Sequence, residues 1–165
     1  MKQILSLLVV LSLATSCNAQ KPQSPKAEAK SAHISISYGQ PSVRGRVIFG
    51  QLVPYGQVWR TGANEATEIT FKKDASFCGK KVKAGAYTLF TIPGEKDWTI
   101  ILNSVLKQWG AFGYDKVKDK NVLEAVVPST KLPTVVEQFT ISIPSSENAV
   151  LLQWDKTSVS IPVSF

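Results

Sequence analysis

The chain has 165 residues, 44% of them hydrophobic and 19% charged, with a formal net charge of +7. That is enough polypeptide for one sizeable core, and its composition excludes both a disordered chain and a membrane bundle. The lysine excess is scattered through positions such as Lys21, Lys26, Lys30, Lys72, Lys96 and Lys156. With no dense basic run and no recognition motif, the charge does not mark a nucleic-acid surface.

After Lys2, residues 4–14 (ILSLLVVLSLA) form an apolar run. It is shorter than the roughly 20 residues a membrane-spanning helix needs, so residues 1–16 read as a signal peptide. Ala14-Thr15-Ser16-Cys17 resembles the lipobox of bacterial lipoproteins, which makes Cys17 the expected acylated N-terminus and the membrane a partner through that lipid. The box usually holds a large aliphatic residue three positions before the cysteine, whereas Leu13 stands four before; cleavage after Ala19 is the alternative. The expected location is the cell envelope, lipid-anchored in the first case and soluble in the periplasm or secreted in the second. Residues 17–31 contain two prolines and no large apolar side chain, and read as a flexible tether.

Residues 32–165 read as a single β domain. Ile34, Ile36 and Tyr38 alternate with polar neighbours, the mark of a half-buried strand, and residues 68–72 and 138–143 repeat the pattern. Between them, residues 86–92 (AYTLFTI) and 98–102 (WTIIL) flank Pro93-Gly94-Glu95-Lys96-Asp97 as a hairpin, and residues 150–154 and 158–163 suggest another across Asp155-Lys156-Thr157. No segment keeps a helical period with capping signals. About eight or nine short strands in a chain of this size indicate an antiparallel β-sandwich, with a β-barrel as the alternative. Trp59, Trp98 and Trp154 fall within or beside strand patterns and are expected in the core. Cys78 has no partner once Cys17 is acylated, and with His33 as the sole histidine it reads as a small buried hydrophobe, not a nucleophile.

Residues 38–66 break the pattern. They hold five of the ten glycines and all three arginines, Arg44, Arg46 and Arg60, in a chain otherwise using lysine. Arginine is preferred where a planar fork must meet a carboxylate or phosphate, or where charge is partly buried. The runs GRVIFGQLVPYGQVWRTGANEATEITF, AGAYTLFTIPGEKDWTIILN and QWGAFGYD resemble the bacterial envelope family catalogued as domain of unknown function 2911, over most of residues 32–165. The resemblance implies an exported β-rich domain and brings no activity, cofactor or catalytic residue with it.

In RTGANE, residues 60–65, Gly62 and Asn64 tolerate left-handed backbone, so a tight turn should hold Arg60 near Glu65, either as a local ion pair or as a site in which Arg60, Asn64 and Glu65 meet a ligand. Arg44 and Arg46, two apart, could hold an anion. Residues 108–115 (QWGAFGYD) place Trp109, Phe112 and Tyr114 on a loop, suited either to stacking on a sugar or to plugging one end of the sandwich. One histidine excludes a multi-histidine metal site within the chain, and phosphate-loop, zinc-protease and hydrolase-elbow patterns are absent, so no metal or cofactor is expected. Three readings follow. The first is a non-catalytic binding domain for a small molecule, a glycan or an envelope protein, using Arg44, Arg46, Arg60, Asn64, Glu65, Trp109 and Tyr114. The second is a glycan hydrolase using Glu65, tuned by Arg60, with Asp115 as a second carboxylate. The third is a structural envelope subunit, which predicts an apolar patch or an open strand edge and no pocket.

Overall fold

The computed structural model describes residues 23–165; the signal-like run and Cys17 lie outside the described residues. Nine strands form one antiparallel sheet: β1 (Lys26–Lys30), β2 (Ile34–Gly39), β3 (Thr67–Phe71), β4 (Ala75–Phe77), β5 (Lys80–Val82), β6 (Gly85–Ile92), β7 (Asp97–Asn103), β8 (Asn121–Ser142) and β9 (Ala149–Ser164). Their order in the sheet is β1-β2-β3-β6-β7-β8-β9-β4-β5. Two 3-10 turns, Tyr114–Lys116 and Lys118–Lys120, lie between β7 and β8.

The sheet is open and folds back over itself. Tyr38 on β2 packs edge-on to Phe139 on β8 at 5.7 Å, although three strands separate β2 from β8 in the sheet. The Tyr38 hydroxyl also accepts the Ile141 N–H at 3.1 Å, and Phe71 on β3 meets Phe77 on β4 at 5.3 Å. These contacts make the two halves the layers of an antiparallel sandwich, as the period-two pattern required. Ile34, Ile36, Ile69, Phe71, Ile100, Leu102, Leu152, Trp154 and Ile161 fill the space between them. At its centre Trp59 stacks on Trp154 (5.8 Å, 14°) and meets Trp98 and Phe139 edge-on. All three tryptophans expected in the core are there.

The structure departs from the sequence reading in three places. Within the segment read as a tether, Lys26–Lys30 form β1, paired with β2 from Lys26↔Gly39 to Lys30↔Ser35. No large apolar side chain marks the strand locally; Ala29 and Ala27 are its only core contacts, and the neighbouring strand supplies the ladder. Residues 150–163 are not a hairpin but one strand, β9, which pairs with β8; Asp155 takes a left-handed φ of 52° at a register shift opposite Val136. A turn-like Asp-Lys-Thr therefore encodes an irregularity within a strand. Finally, Cys78 and Gly79, both at positive φ, turn a β4–β5 hairpin that the reading did not anticipate. Cys78 packs half-buried against the core, and burial pushes its thiol up to about 11.

A second, smaller cluster lies on the opposite face of the sheet. Phe90 on β6 and Ile101 on β7 are fully buried there with Ala66, beneath Val58, Ala111 and Tyr114. This explains why residues 86–92 show little alternation: β6 is buried on both faces. The covering loops carry the candidate site.

Candidate functional site

The site begins with a close backbone crossing. A Cβ on Gly39, the last residue of β2, would lie 2.0 Å from the Ala63 carbonyl oxygen, and one on Gly62 would lie 2.8 Å from the Gly39 oxygen. The Ala63 N–H donates to the Gly39 oxygen across this crossing at 3.2 Å. Gly62 is thus required for close approach; the left-handed positions of the turn are Thr61 (φ 53°) and Asn64 (φ 63°). A β-branched residue with positive φ is strained unless its surroundings hold it. Thr61 is fully buried, its hydroxyl bonded to that of Thr91 (3.0 Å), and its carbonyl accepts the Thr67 hydroxyl at 2.7 Å. The Trp59 indole N–H donates to the Gly62 oxygen at 3.0 Å, so the aromatic core anchors the turn directly.

The aromatic loop is laced to this turn by a short antiparallel ladder. Ala66 N–H donates to the Gln108 oxygen (2.9 Å), Gly110 N–H donates to the Asn64 oxygen (3.1 Å), and Glu65 and Trp109 form a bridge pair. Directly opposed residues of such a pair carry their side chains on the same side. Trp109 thereby stands beside Glu65 on the rim of a cavity of about 680 Å³, the residue as a whole 59% exposed.

Polar side chains reach this cavity from Lys26 on β1, Asn64, Glu65, Glu68 on β3, Lys107 and Gln108, beside apolar surface from Tyr38, Ala63 and Ala66. Lys26 Nζ donates to Glu65 Oε2 at 3.3 Å, and the Lys107 N–H donates to Glu68 Oε1 at 2.8 Å. Asn64 Nδ2 donates to the Ser24 oxygen at 3.0 Å and holds the segment before β1 against the cavity. Lys26, Glu68 and Lys107 escaped the sequence reading because nothing local marks them; the β1–β2–β3 pairing and the turn before the aromatic loop bring them in.

Among the residues singled out from sequence, Asn64, Glu65 and Trp109 converge here. Arg60 does not pair with Glu65: its Nη1 donates to the Asn64 oxygen at 3.3 Å, and its side chain lines a separate cavity with Phe112. Arg44 and Arg46 lie at another turn. The Arg44 N–H donates to Glu137 Oε1 (2.9 Å), while Arg46 donates to the carbonyls of Val43 (3.1 Å) and Ser42 (2.6 Å) and braces its own turn. Tyr114 plugs: its ring packs edge-on to Phe90 at 5.2 Å and its hydroxyl accepts from Asn121 Nδ2 at 2.7 Å. The loop of residues 108–115 therefore divides between the two anticipated roles, with Trp109 presented and Tyr114 packed half-buried against the sheet. Asp115 is 92% exposed, 3.8 Å from Lys118, and does not line the cavity that holds Glu65.

The cavity presents carboxylate acceptors, ammonium and amide donors and one exposed indole face. That mixture suits a ligand with many hydroxyls, which needs both donors and acceptors around its edges and an apolar surface beneath a ring face.

No curated protein and no solved structure matches the chain. A family model described as "Protein of unknown function (DUF2911)" matches residues 21–163, a span that takes in β1 and nearly all of the sheet. The chain belongs to the DUF2911 family.

Proposed function

We propose that this domain is a non-catalytic binding module for a saccharide of the cell envelope, held in the cavity between β1, the residue 60–66 turn and the aromatic loop. The observation that carries the reading is Trp109, a residue left 59% exposed at the mouth of a cavity that combines apolar surface from Tyr38, Ala63 and Ala66 with the polar side chains of Lys26, Asn64, Glu65, Glu68 and Gln108. Glu65, Asn64, Glu68 and Lys107 supply the hydrogen-bonding rim. The apolar run of residues 4–14 and Cys17 support placement in the envelope on an N-terminal lipid. Arg44 and Arg46 are assigned to bracing their own turn, and Tyr114 to packing.

The test is intrinsic fluorescence of the full chain titrated with neutral and N-acetylated oligosaccharides. Trp59, Trp98 and Trp154 are buried, so a ligand-dependent change in emission reports on Trp109. Trp109→Ala lacks the reporter and is compared with the parent by titration calorimetry: it should bind about tenfold more weakly, the worth of one good stacking contact, with thermal stability unchanged. An oligosaccharide panel that leaves the emission unmoved, or a Trp109→Ala variant that binds as well as the parent, refutes the reading.

A further inference from the structure

The segment of residues 108–112 borders two cavities. Gln108 and Trp109 line the polar one, whereas Ala111 and Phe112 line a second of about 320 Å³, closed by Leu52, Val53, Pro54, Val58 and Trp59. Apart from Gln57 and Arg60 the residues lining this second cavity carry apolar side chains, although more than half of its exposed surface is polar, and Arg60 is its single charged side chain.

Arg60 is poorly satisfied. Of the five N–H donors on a guanidinium, Nη1 reaches the Asn64 oxygen at 3.3 Å, and Nε is buried without a hydrogen-bond partner. Among the described residues no carboxylate forms an ion pair with it. Burial holds its pKa below the ordinary arginine value, a sign of a partly desolvated cation. Arg60 is half-buried, so its charge is partly stripped of water without a counter-charge to replace it. One long hydrogen bond to a backbone oxygen leaves most of the guanidinium donors unmatched among the described residues. Phe112 completes the arrangement: its ring centroid is 5.7 Å from the guanidinium carbon and its side chain is 83% exposed at the cavity mouth. Gly110 allows this fold-over, because a Cβ there would sit 2.8 Å from the Phe112 ring.

We propose that Arg60 anchors a second ligand site, one that takes a carboxylate or phosphate monoester carried on a small flat apolar body. The anion meets the unpaired donors of the guanidinium, and the body lies between the Phe112 ring and the wall of Val53, Pro54 and Val58. The site is independent of the saccharide reading, since it shares no side chain with the polar cavity.

The experiment follows the arginine side-chain N–H resonances of the full chain by NMR, titrated with benzoate, phenyl phosphate and, as the neutral counterpart, benzyl alcohol. The Arg60 Nε–H resonance should shift saturably with at least one anion and not with benzyl alcohol; the tighter of the two identifies carboxylate or phosphate as the preferred group. Arg60→Lys keeps the charge but loses the planar fork and the reporting Nε–H; followed through the backbone amides of Val58 and Phe112 in both proteins, it should bind at least about tenfold more weakly. Phe112→Ala removes a side chain that stands mostly in solvent, so the fold survives, and it should weaken anion binding severalfold. The proposal is overturned if neither anion moves the resonance up to on the order of 10 mM, if benzyl alcohol binds equally well, or if both variants bind like the parent.

Discussion

Substituting alanine for Gly39 should uncouple the candidate site from the sheet. The added Cβ would fall 2.0 Å from the Ala63 oxygen and 2.7 Å from its carbonyl carbon, both backbone atoms that cannot rotate away. Contacts under 3.0 Å essentially never occur for a real Cβ, so the end of β2 and the residue 61–66 turn must separate by about 1 Å. The Ala63–Gly39 hydrogen bond, already 3.2 Å long, does not survive that movement. Overpacking of this kind costs about 1–3 kcal/mol and the lost hydrogen bond about 1 more, giving a destabilisation of roughly 2–4 kcal/mol. Urea denaturation measures it, and Gly113→Ala is the internal control. Gly113 has a φ of −92°, and its Cβ would meet only the tip of Gln108 at 3.5 Å, so the same substitution there should change stability by less than about 0.5 kcal/mol. If the two variants unfold at the same urea concentration, the backbone crossing at Gly39 does not hold the site as described.

Other outcomes follow from single side chains. Glu147 is held down to about 2 from an ordinary 4.5 by hydrogen bonds from the Ser31 side chain, the His33 ring and the His33 N–H. A carboxylate with a depressed folded pKa contributes stability that is complete above its unfolded value and lost as pH falls through the folded one. The urea midpoint should therefore drop between pH 4.5 and 2, and drop less in Glu147→Gln. Cys78, its thiol raised from 9.0 to about 11 by burial, should react with a disulfide reagent at pH 7.5 about 100-fold more slowly than a free thiol. This is measured in a Cys17→Ser background, and urea should abolish the difference; a fast native reaction would mean that the thiol is not buried.

How much was legible depended on whether the information was local. Ile34, Ile36 and Tyr38 announce β2, and the Pro93-Gly94 punctuation announces the β6–β7 hairpin, because alternation and turn chemistry lie within a few residues. The length of β8 was hidden: Pro128 and Pro133 interrupt it, and Val122, Val126 and Val135 face solvent, so no continuous pattern runs through its 22 residues. Two register shifts absorb these irregularities. In the same way Asn64, Glu65 and Trp109 stood out because glycine, arginine and aromatic residues crowd around them. Lys26 and Glu68 look like ordinary strand-surface charges, and only the pairing of β1, β2 and β3 turns them into cavity walls. Arg60 and Glu65, five residues apart, were expected close together, as an ion pair or as parts of one site; with Asn64 left-handed between them, their side chains line different cavities.

The incorporation of β1 into the sheet sets a leash length. A segment free from residue 17 to residue 31 could let the domain range about 50 Å from a lipid on Cys17. Ser24 is instead fastened to Asn64, so the run from Cys17 to that point covers at most about 25 Å when fully extended. Under the proposed lipid anchor at Cys17, the cavity whose wall begins at Gln23 would be confined to a shell next to the headgroups, sampling molecules that sit on the membrane surface far more often than those diffusing across the compartment.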